Sequence, residues 1–399
     1  MKNTLQALKR GFLLVFEREY DIVKYKKQEV HDMAAFTIHN TMEEVLADPR
    51  IKPYSRFMIY TPGANPMQEE MNRQPIESMR QIGWSPEAIA DGLSFLADAV
   101  DTGKVEQYFI YEGDACEDAP QKKNVNLMRL LPETIDPEKP YIVLCAGGAY
   151  MSVCTAVEAL PTAVHMVKAG YQVFLLTYRV QEEQAVRKSL DDLHQALRFI
   201  AAHQEQFMIA NADLYAVGGF SAGANLISNW GSALVGYKNY GFAKPKALFP
   251  IYTFIDLKAE AGRDEYGGLI RPMFGPDFTQ EDVEQFNVIE QLNTEYPPCY
   301  IVCGKDDTTV PPRNSEEMEA RLHAAGVPAV LEEGAHAPHG FGDGTGTDVE
   351  GWPERAIRFM ESLYGSVRCP PVRWRKGDGP VTCFGSGPGR SHRPCVPPV

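Results

Sequence analysis

VGGFSAGAN, from Val217 to Asn225, sets one serine, Ser221, among residues with little or no side chain. Gly219-Phe220-Ser221-Ala222-Gly223 is a G-x-S-x-G pattern, and its surroundings give it weight. The apolar run before it, Tyr215 to Phe220, reads as a strand, and "GANLISNWGSAL" after it reads as a helix. A strand that bends sharply into a helix strains the backbone at the bend, and bulky neighbours would collide across the turn. The same bend exposes the hydroxyl and aims the N–H groups of the next helix toward it. Ser221 is therefore a candidate nucleophile, with an idle serine in a glycine turn as the competing reading.

A serine hydroxyl attacks poorly unless a base takes its proton, and the base needs a carboxylate to orient it. The chain has nine histidines, of which His165, His194, His203 and His323 lie within helical patterns. His336 and His339 lie instead in the loop "EEGAHAPHGFGDG" (Glu332 to Gly344), after the strand-like run Pro328 to Glu333. His339 is the chosen base, because small residues beside it leave the imidazole free to lean toward the serine. His336 is read as shaping the loop. A metal site built on this pair lacks a completing Cys or carboxylate, so no metal is expected.

"VCGKDDTTVPP" (Val302 to Pro312) puts Asp306 and Asp307 just past another strand. Asp307 is the candidate acid, Asp306 its neighbour or a capping group, and Asp256 the reserve. The order Ser221, Asp307, His339 is the serine–acid–histidine order of one α/β fold class. A developing oxyanion needs preorganised N–H donors. Ala222 should supply one, and Gly147 or Gly148 of "CAGGAY" (Cys145 to Tyr150) the other. Chemistry of this kind needs no organic cofactor.

Around these motifs the chain divides into three. Residues 105–365 alternate strands with helices: "VEQYFIY", "VNLMRLL", Tyr141 to Gly148, Tyr171 to Val180, Tyr215 to Phe220, Lys246 to Phe254 and Cys299 to Gly304 are short apolar runs, and Glu182 to Phe207 and Ser315 to Ala325 read as helices. That pattern predicts an α/β fold with a mostly parallel, doubly wound sheet and reactive groups at the strands' carboxyl ends. Residues 1–104 read as a helical N-terminal extension or lid. Leu5, Leu8, Phe12, Val15, Phe16, Tyr20 and Val23 share one stripe, Thr41 with Glu44 forms a capping box, and Ser85-Pro86 opens a further helix. Such stripes suit packing on a neighbouring domain, a mobile lid, a homodimer contact or a lipid-facing helix. Residues 366–399, rich in Pro, Gly and Arg, are expected to be a disordered tail, read as a non-native or read-through end.

The chain has 399 residues, 44% hydrophobic, with a formal net charge of −14. Length allows one large domain or two ordinary ones, and the acidic balance argues against nucleic acid as a partner. No apolar run approaches the roughly 20 residues of a membrane span. "FLLVF" (Phe12 to Phe16) is too short for a secretory core, so a cytoplasmic location is expected. Of eight cysteines, Cys145, Cys299 and Cys303 sit in strand-like runs as buried thiols, and Cys116 and Cys154 have no evident mates.

These motifs together resemble the α/β-hydrolase superfamily, in the branch of bacterial carboxylesterases and acetyl-xylan or feruloyl esterase-like enzymes. That branch carries a G-G-G-Y or H-G-G-G oxyanion loop, a G-x-S-x-G elbow, G-x-x-D-x-x-V-P and H-G-F. The matching residues are Gly147-Gly148-Ala149-Tyr150, the elbow at Ser221, Gly304 to Pro311, and His339-Gly340-Phe341. Ala146 stands where some relatives have His, and Ala149 where a third Gly is usual. The resemblance covers residues 105–365 and implies a serine esterase acting through an acyl-enzyme. Its implied substrate is a small ester, short-chain or an acetyl or feruloyl ester on carbohydrate. A peptidase on the same fold, a lipase at a lipid interface and a non-catalytic binding protein are the alternatives.

Overall fold

The apolar runs of the middle section fold as one eight-stranded sheet in a computed structural model that describes residues 36–117, 119–261, 268 and 270–363. The strands are β1 Val105–Phe109, β2 Asn126–Leu130, β3 Tyr141–Cys145, β4 Val173–Thr177, β5 Tyr215–Phe220, β6 Leu248–Ile251, β7 Cys299–Gly304 and β8 Ala329–Gly334. Their order across the sheet is β1-β2-β4-β3-β5-β6-β7-β8. β1, β2 and β4 pair antiparallel, and every pair from β4–β3 onward is parallel. Strands β2 to β7 are buried along their whole length, which explains runs of Val, Leu, Ile and Phe in place of alternation. The fold is the expected mostly parallel α/β-hydrolase architecture.

The helices are α1 Met42–Ala47, α2 Pro66–Asn72, α3 Pro86–Asp101, α4 Ala159–Lys168, α5 Ala185–Ala202, α6 Ala222–Gly231, α7 Leu257–Ala261, α8 Ile270–Phe274, α9 Gln280–Gln285, α10 Arg313–Ala324 and α11 Trp352–Ser362. Local chemistry starts several of them as the sequence suggests. Thr41 and Glu44 close a reciprocal capping box on α1, and Ser85 caps α3 with Pro86 as its first residue. Ile89, Leu93 and Leu96 on one face of α3 are fully buried, and this face packs on α4. The stripe from Leu5 to Val23 and the tail from Ser366 lie outside the described residues. No helix among the described residues is long and apolar enough to cross a membrane. Cys116, Cys145, Cys154, Cys299 and Cys303 are free and buried.

Two charge clusters hold helices in place, the first buried and the second partly exposed. Arg179, just past β4, pairs with the fully buried Asp192 of α5 at 2.8 Å. Asp192 also accepts from the Tyr111 hydroxyl at 2.9 Å. Removing one partner of such a pair strands the other charge in the core. A second cluster lies under the loop after β8. There His165 of α4 is held between Glu354, 2.6 Å from Nδ1, and Asp343, 3.2 Å from Nε2.

The contact with Asp343 raises the His165 pKa above its ordinary value, against a smaller opposing effect of burial. The folded state therefore favours the protonated ring. Its contribution is complete below the unfolded value near about 6.5 and is lost as pH rises through the higher folded value. His165→Gln is expected to lower the melting temperature by about 1–3 °C at pH 6 and by less at pH 9, in paired calorimetric scans. Asp192→Ala should cost about 3–5 kcal/mol in urea titration at neutral pH, because Arg179 is left buried without its counter-charge.

Candidate active site

The bend between β5 and α6 carries Ser221 at φ 50° and ψ −115°, a backbone that a residue with a side chain rarely adopts. Close backbone packing imposes it. The Ser221 N–H donates to the Ile251 carbonyl at 3.0 Å, and its own carbonyl accepts from Asn225 N–H at 2.9 Å. The flanking glycines are steric necessities. A Cβ on Gly223 would lie 2.0 Å from the Cys145 carbonyl oxygen, and one on Gly219 would lie 2.3 Å from the Gly223 carbonyl oxygen. The turn is thus wedged against the end of β3, with room for nothing larger than hydrogen.

At the carboxyl ends of β5, β7 and β8 three side chains meet that are far apart along the chain. His339 Nε2 lies 3.0 Å from Ser221 Oγ, and His339 Nδ1 lies 2.7 Å from Asp307 Oδ2. The Asp307 side chain is almost wholly buried, and its other oxygen accepts from Thr309 and Val310 N–H at 2.8 Å each. With both oxygens occupied, the carboxylate can point one way only. The arrangement can pass the serine proton to Nε2 while the Nδ1–H stays on the carboxylate.

The neighbouring candidates have other duties. Asp306 accepts from Ala337 N–H at 2.8 Å, pinning the loop that carries His339. Asp256 accepts from Ala259 N–H at the start of α7. His336 is exposed and bonds Asp348. Met273, Phe274 and Phe286 are buried, with Phe274 and Phe286 packed ring to ring at 5.7 Å. Tyr266, an aromatic between Asp256 and Pro298, lies outside the described residues.

The glycine loop after β3 departs from its expected use at one position. The Gly147 N–H is not free: it donates to Glu158 Oε2 at 2.5 Å. Gly147 matters for another reason, since a Cβ there would lie 2.9 Å from the Ser221 Cβ and 2.7 Å from the Phe220 carbonyl oxygen. Beyond it the backbone turns through three positive φ values, 132° at Gly148, 55° at Ala149 and 56° at Tyr150. Ala149 therefore holds a glycine-like conformation without being glycine. Tyr150 fixes the turn by donating from its buried hydroxyl to Asn225 Oδ1 of α6 at 2.9 Å. Among the described residues no protein acceptor meets the N–H of Gly148, Ala149 or Ala222.

Glu158 and Tyr252 are the parts of this site that the sequence reading missed. Glu158 is 4% exposed, and its second oxygen accepts from the Tyr252 hydroxyl at 2.8 Å. Tyr252, at φ 39°, lays its ring 4.7 Å from the His339 ring. Burial pushes the Glu158 pKa up, while the Gly147 N–H, the Tyr252 hydroxyl and His339 act against that rise. The available signal was a lone carboxylate in the apolar stretch Thr155 to Val164.

Residues 36–101 reach the site from two sides. Tyr60 and Val153 exchange backbone bonds at 2.9 and 2.8 Å, and Ala156 N–H donates to the Met58 carbonyl at 2.7 Å. At the other side a Cβ on Gly340 would lie 2.8 Å from Trp84 Cδ1, and one on Gly83 would lie 3.2 Å from the His339 carbonyl oxygen.

Residues 129–322 match the family model BD-FAE, a span that holds Ser221 and Asp307 and stops short of His339. Endo-1,4-beta-xylanase B of Butyrivibrio fibrisolvens is 25% identical over 205 residues, 48% of this chain and 31% of that protein. The chain thus spans less than a third of that relative's length. Among solved structures, an acetyl ester-xyloside bifunctional hydrolase from Caldicellulosiruptor lactoaceticus is similar at a TM-score of 0.54 and 23% identity, covering 64% of this chain and 95% of that one. A bifunctional GH43-CE protein from Bacteroides eggerthii is similar at 0.51 and 19%, covering 60% and 36%. At these identities the structural likeness establishes the shared fold.

The elbow has no room for a methyl at Gly223. Gly223→Ala should lower stability by about 3 kcal/mol or prevent folding, because backbone and not a pliable side chain opposes the added methyl. Gly346→Ala, at φ 79° with nothing within 4 Å, carries the backbone cost alone. Its urea midpoint should move much less than that of Gly223→Ala.

Proposed function

We propose that this chain, which has the α/β-hydrolase fold, is a serine carboxylic-ester hydrolase acting through an acyl-enzyme. The observation that carries the reading is the unbroken chain of contacts from Ser221 Oγ through His339 to Asp307, at 3.0 and 2.7 Å. In the proposed cycle Ser221 Oγ attacks the ester carbonyl as His339 Nε2 takes its proton. The tetrahedral intermediate then collapses, and the imidazolium returns the proton to the departing alkoxide. Water, activated by the same ring, attacks the acyl-serine in a second round. Asp307 keeps the Nδ1–H tautomer and balances the imidazolium charge.

Ala222 N–H and the backbone at Gly148 are assigned to the oxyanion, with Gly147 bracing the loop. Ala149 N–H, in the same turn, is a further candidate donor. Each preorganised donor of this kind is worth about 10²- to 10³-fold in rate.

For the substrate we propose a small ester linked to carbohydrate, with a short acyl or a feruloyl group. Support comes from the BD-FAE match and from relatives named for xylan and xyloside hydrolysis. An imported oligosaccharide ester would suit this reading better than an intact polymer.

Ser221→Ala should reduce p-nitrophenyl acetate turnover by about 10⁴-fold or more with an unchanged melting curve. Wild-type protein should show a burst of p-nitrophenol equal to the active-site concentration. A panel of methyl ferulate, acetylated xylo-oligosaccharides and p-nitrophenyl esters of rising length then ranks the acyl groups. Turnover retained by Ser221→Ala would discard the mechanism, and preference for long acyl chains would replace the carbohydrate reading with a lipid one.

A further inference from the structure

We propose that Glu158 is a positioning residue for the oxyanion loop, an inference that rests on the esterase reading above. Glu158 sits immediately before α4, and its carboxylate reaches back under the loop that follows β3. One oxygen accepts from Gly147 N–H at 2.5 Å and the other from the Tyr252 hydroxyl at 2.8 Å. Gly147 lies against Ser221 and the Phe220 carbonyl, so the carboxylate fixes the loop at its nearest approach to the nucleophile. Tyr252 carries the connection onward, because its ring packs 4.7 Å from both the His339 and the Phe341 rings. A single buried side chain therefore links the loop that would bind the oxyanion to the wall behind the imidazole.

Two features argue that this link serves the reaction as well as the fold. A carboxylate 4% exposed carries a desolvation cost of several kcal/mol. An apolar side chain could fill the same volume without that cost. It could not accept two hydrogen bonds, and the Gly147 N–H would be left buried and unpaired. The second feature is the strain downstream. Gly148, Ala149 and Tyr150 all hold positive φ, two of them against their own Cβ atoms. Strained backbone persists only where its surroundings over-determine it. Here Glu158 holds the turn at Gly147, Tyr150 anchors it to Asn225, and Cys154 N–H bonds the Gly147 carbonyl at 2.9 Å. Of these ties, the one to Glu158 holds the N–H of Gly147, the residue that lies against Ser221. Loss of that tie should let the donors drift from the position that the oxyanion takes, a place that ground-state ester occupies only weakly. The effect should therefore fall on kcat and leave KM nearly unchanged.

The test uses the full chain and three variants, Glu158→Gln, Glu158→Ala and Tyr252→Phe, with p-nitrophenyl acetate as substrate. Active sites are titrated to completion with a fluorophosphonate, so that kcat refers to competent molecules alone. Glu158→Ala should lower kcat by about 100-fold or more, with KM within about threefold of wild type. Glu158→Gln keeps an oxygen that accepts from Gly147 N–H and should recover about tenfold of that loss. Tyr252→Phe should lie between Gln and wild type. Titrated kcat values for Glu158→Gln and Glu158→Ala equal to wild type would overturn the proposal, and so would a loss confined to KM. Should Glu158→Ala fail to fold, Glu158→Gln and Tyr252→Phe still decide, since both preserve volume. Failure of the underlying reading looks different: wild-type protein itself would leave Ser221 unlabelled by the fluorophosphonate.

Discussion

The close approach of the β5–α6 bend to the end of β3 is the constraint on which the site depends. The Gly223 Cα lies so near the Cys145 carbonyl that no side chain fits between them, and Gly219 is pressed on the Gly223 carbonyl in the same way. This contact joins two neighbouring parallel strands and fixes the height of Ser221 above the sheet edge. It also fixes where the Ala222 N–H points, because α6 begins at that residue. The strain at Ser221 is maintained by backbone packing and backbone hydrogen bonds. Side-chain substitution elsewhere can therefore tune the site without relaxing the elbow.

How much of this was legible in the sequence follows from where the information resides. The elbow, the Asp307 loop and the His339 loop are short, local and rich in small residues, and each follows a recognisable strand. Parallel strands align their carboxyl ends, so motifs that follow strands collect at one edge whatever their separation along the chain. Gly147 shows the limit of that reasoning. Its glycine suited a donor loop, yet its N–H is spent on Glu158, eleven residues onward and across a turn. Tyr252 was likewise hidden, since its use depends on a positive φ after β6 that no local pattern announces. The aromatics between Asp256 and Pro298 show the same limit. Composition cannot separate a ring facing a cleft from a ring such as Phe274, which packs on Phe286.

The segment before β1 is more involved with the site than its position in the chain suggests. It lies outside the span that matches BD-FAE, yet its backbone pairs with Val153 beside the oxyanion loop, and Trp84 abuts Gly340 next to His339. These contacts brace two loops that also touch each other directly, since a Cβ on Gly342 would lie 2.6 Å from the Val157 carbonyl oxygen. A backbone bridge such as Tyr60–Val153 is indifferent to side-chain identity, so segments of quite different sequence could occupy this place. The family pattern takes in β3 to β7 and omits this segment.

Two carboxylates frame the imidazole, and their surroundings assign them different work. Asp307 accepts two backbone N–H bonds on one oxygen and meets the His339 ring with the other. Glu158 is buried too, with burial opposing its charge and the Gly147 N–H, the Tyr252 hydroxyl and His339 acting against that opposition. Asp307 touches the His339 ring directly, whereas Glu158 reaches that ring through the face of Tyr252. Direct contact suits a group that must answer a charge appearing and disappearing within each cycle. A group held at one remove, bonded to backbone, suits a geometry that must stay the same throughout. On the proposed mechanism the hydrogen-bond partners divide the work: the carboxylate on the histidine would serve the moving proton, and the carboxylate on the glycine loop the fixed donors.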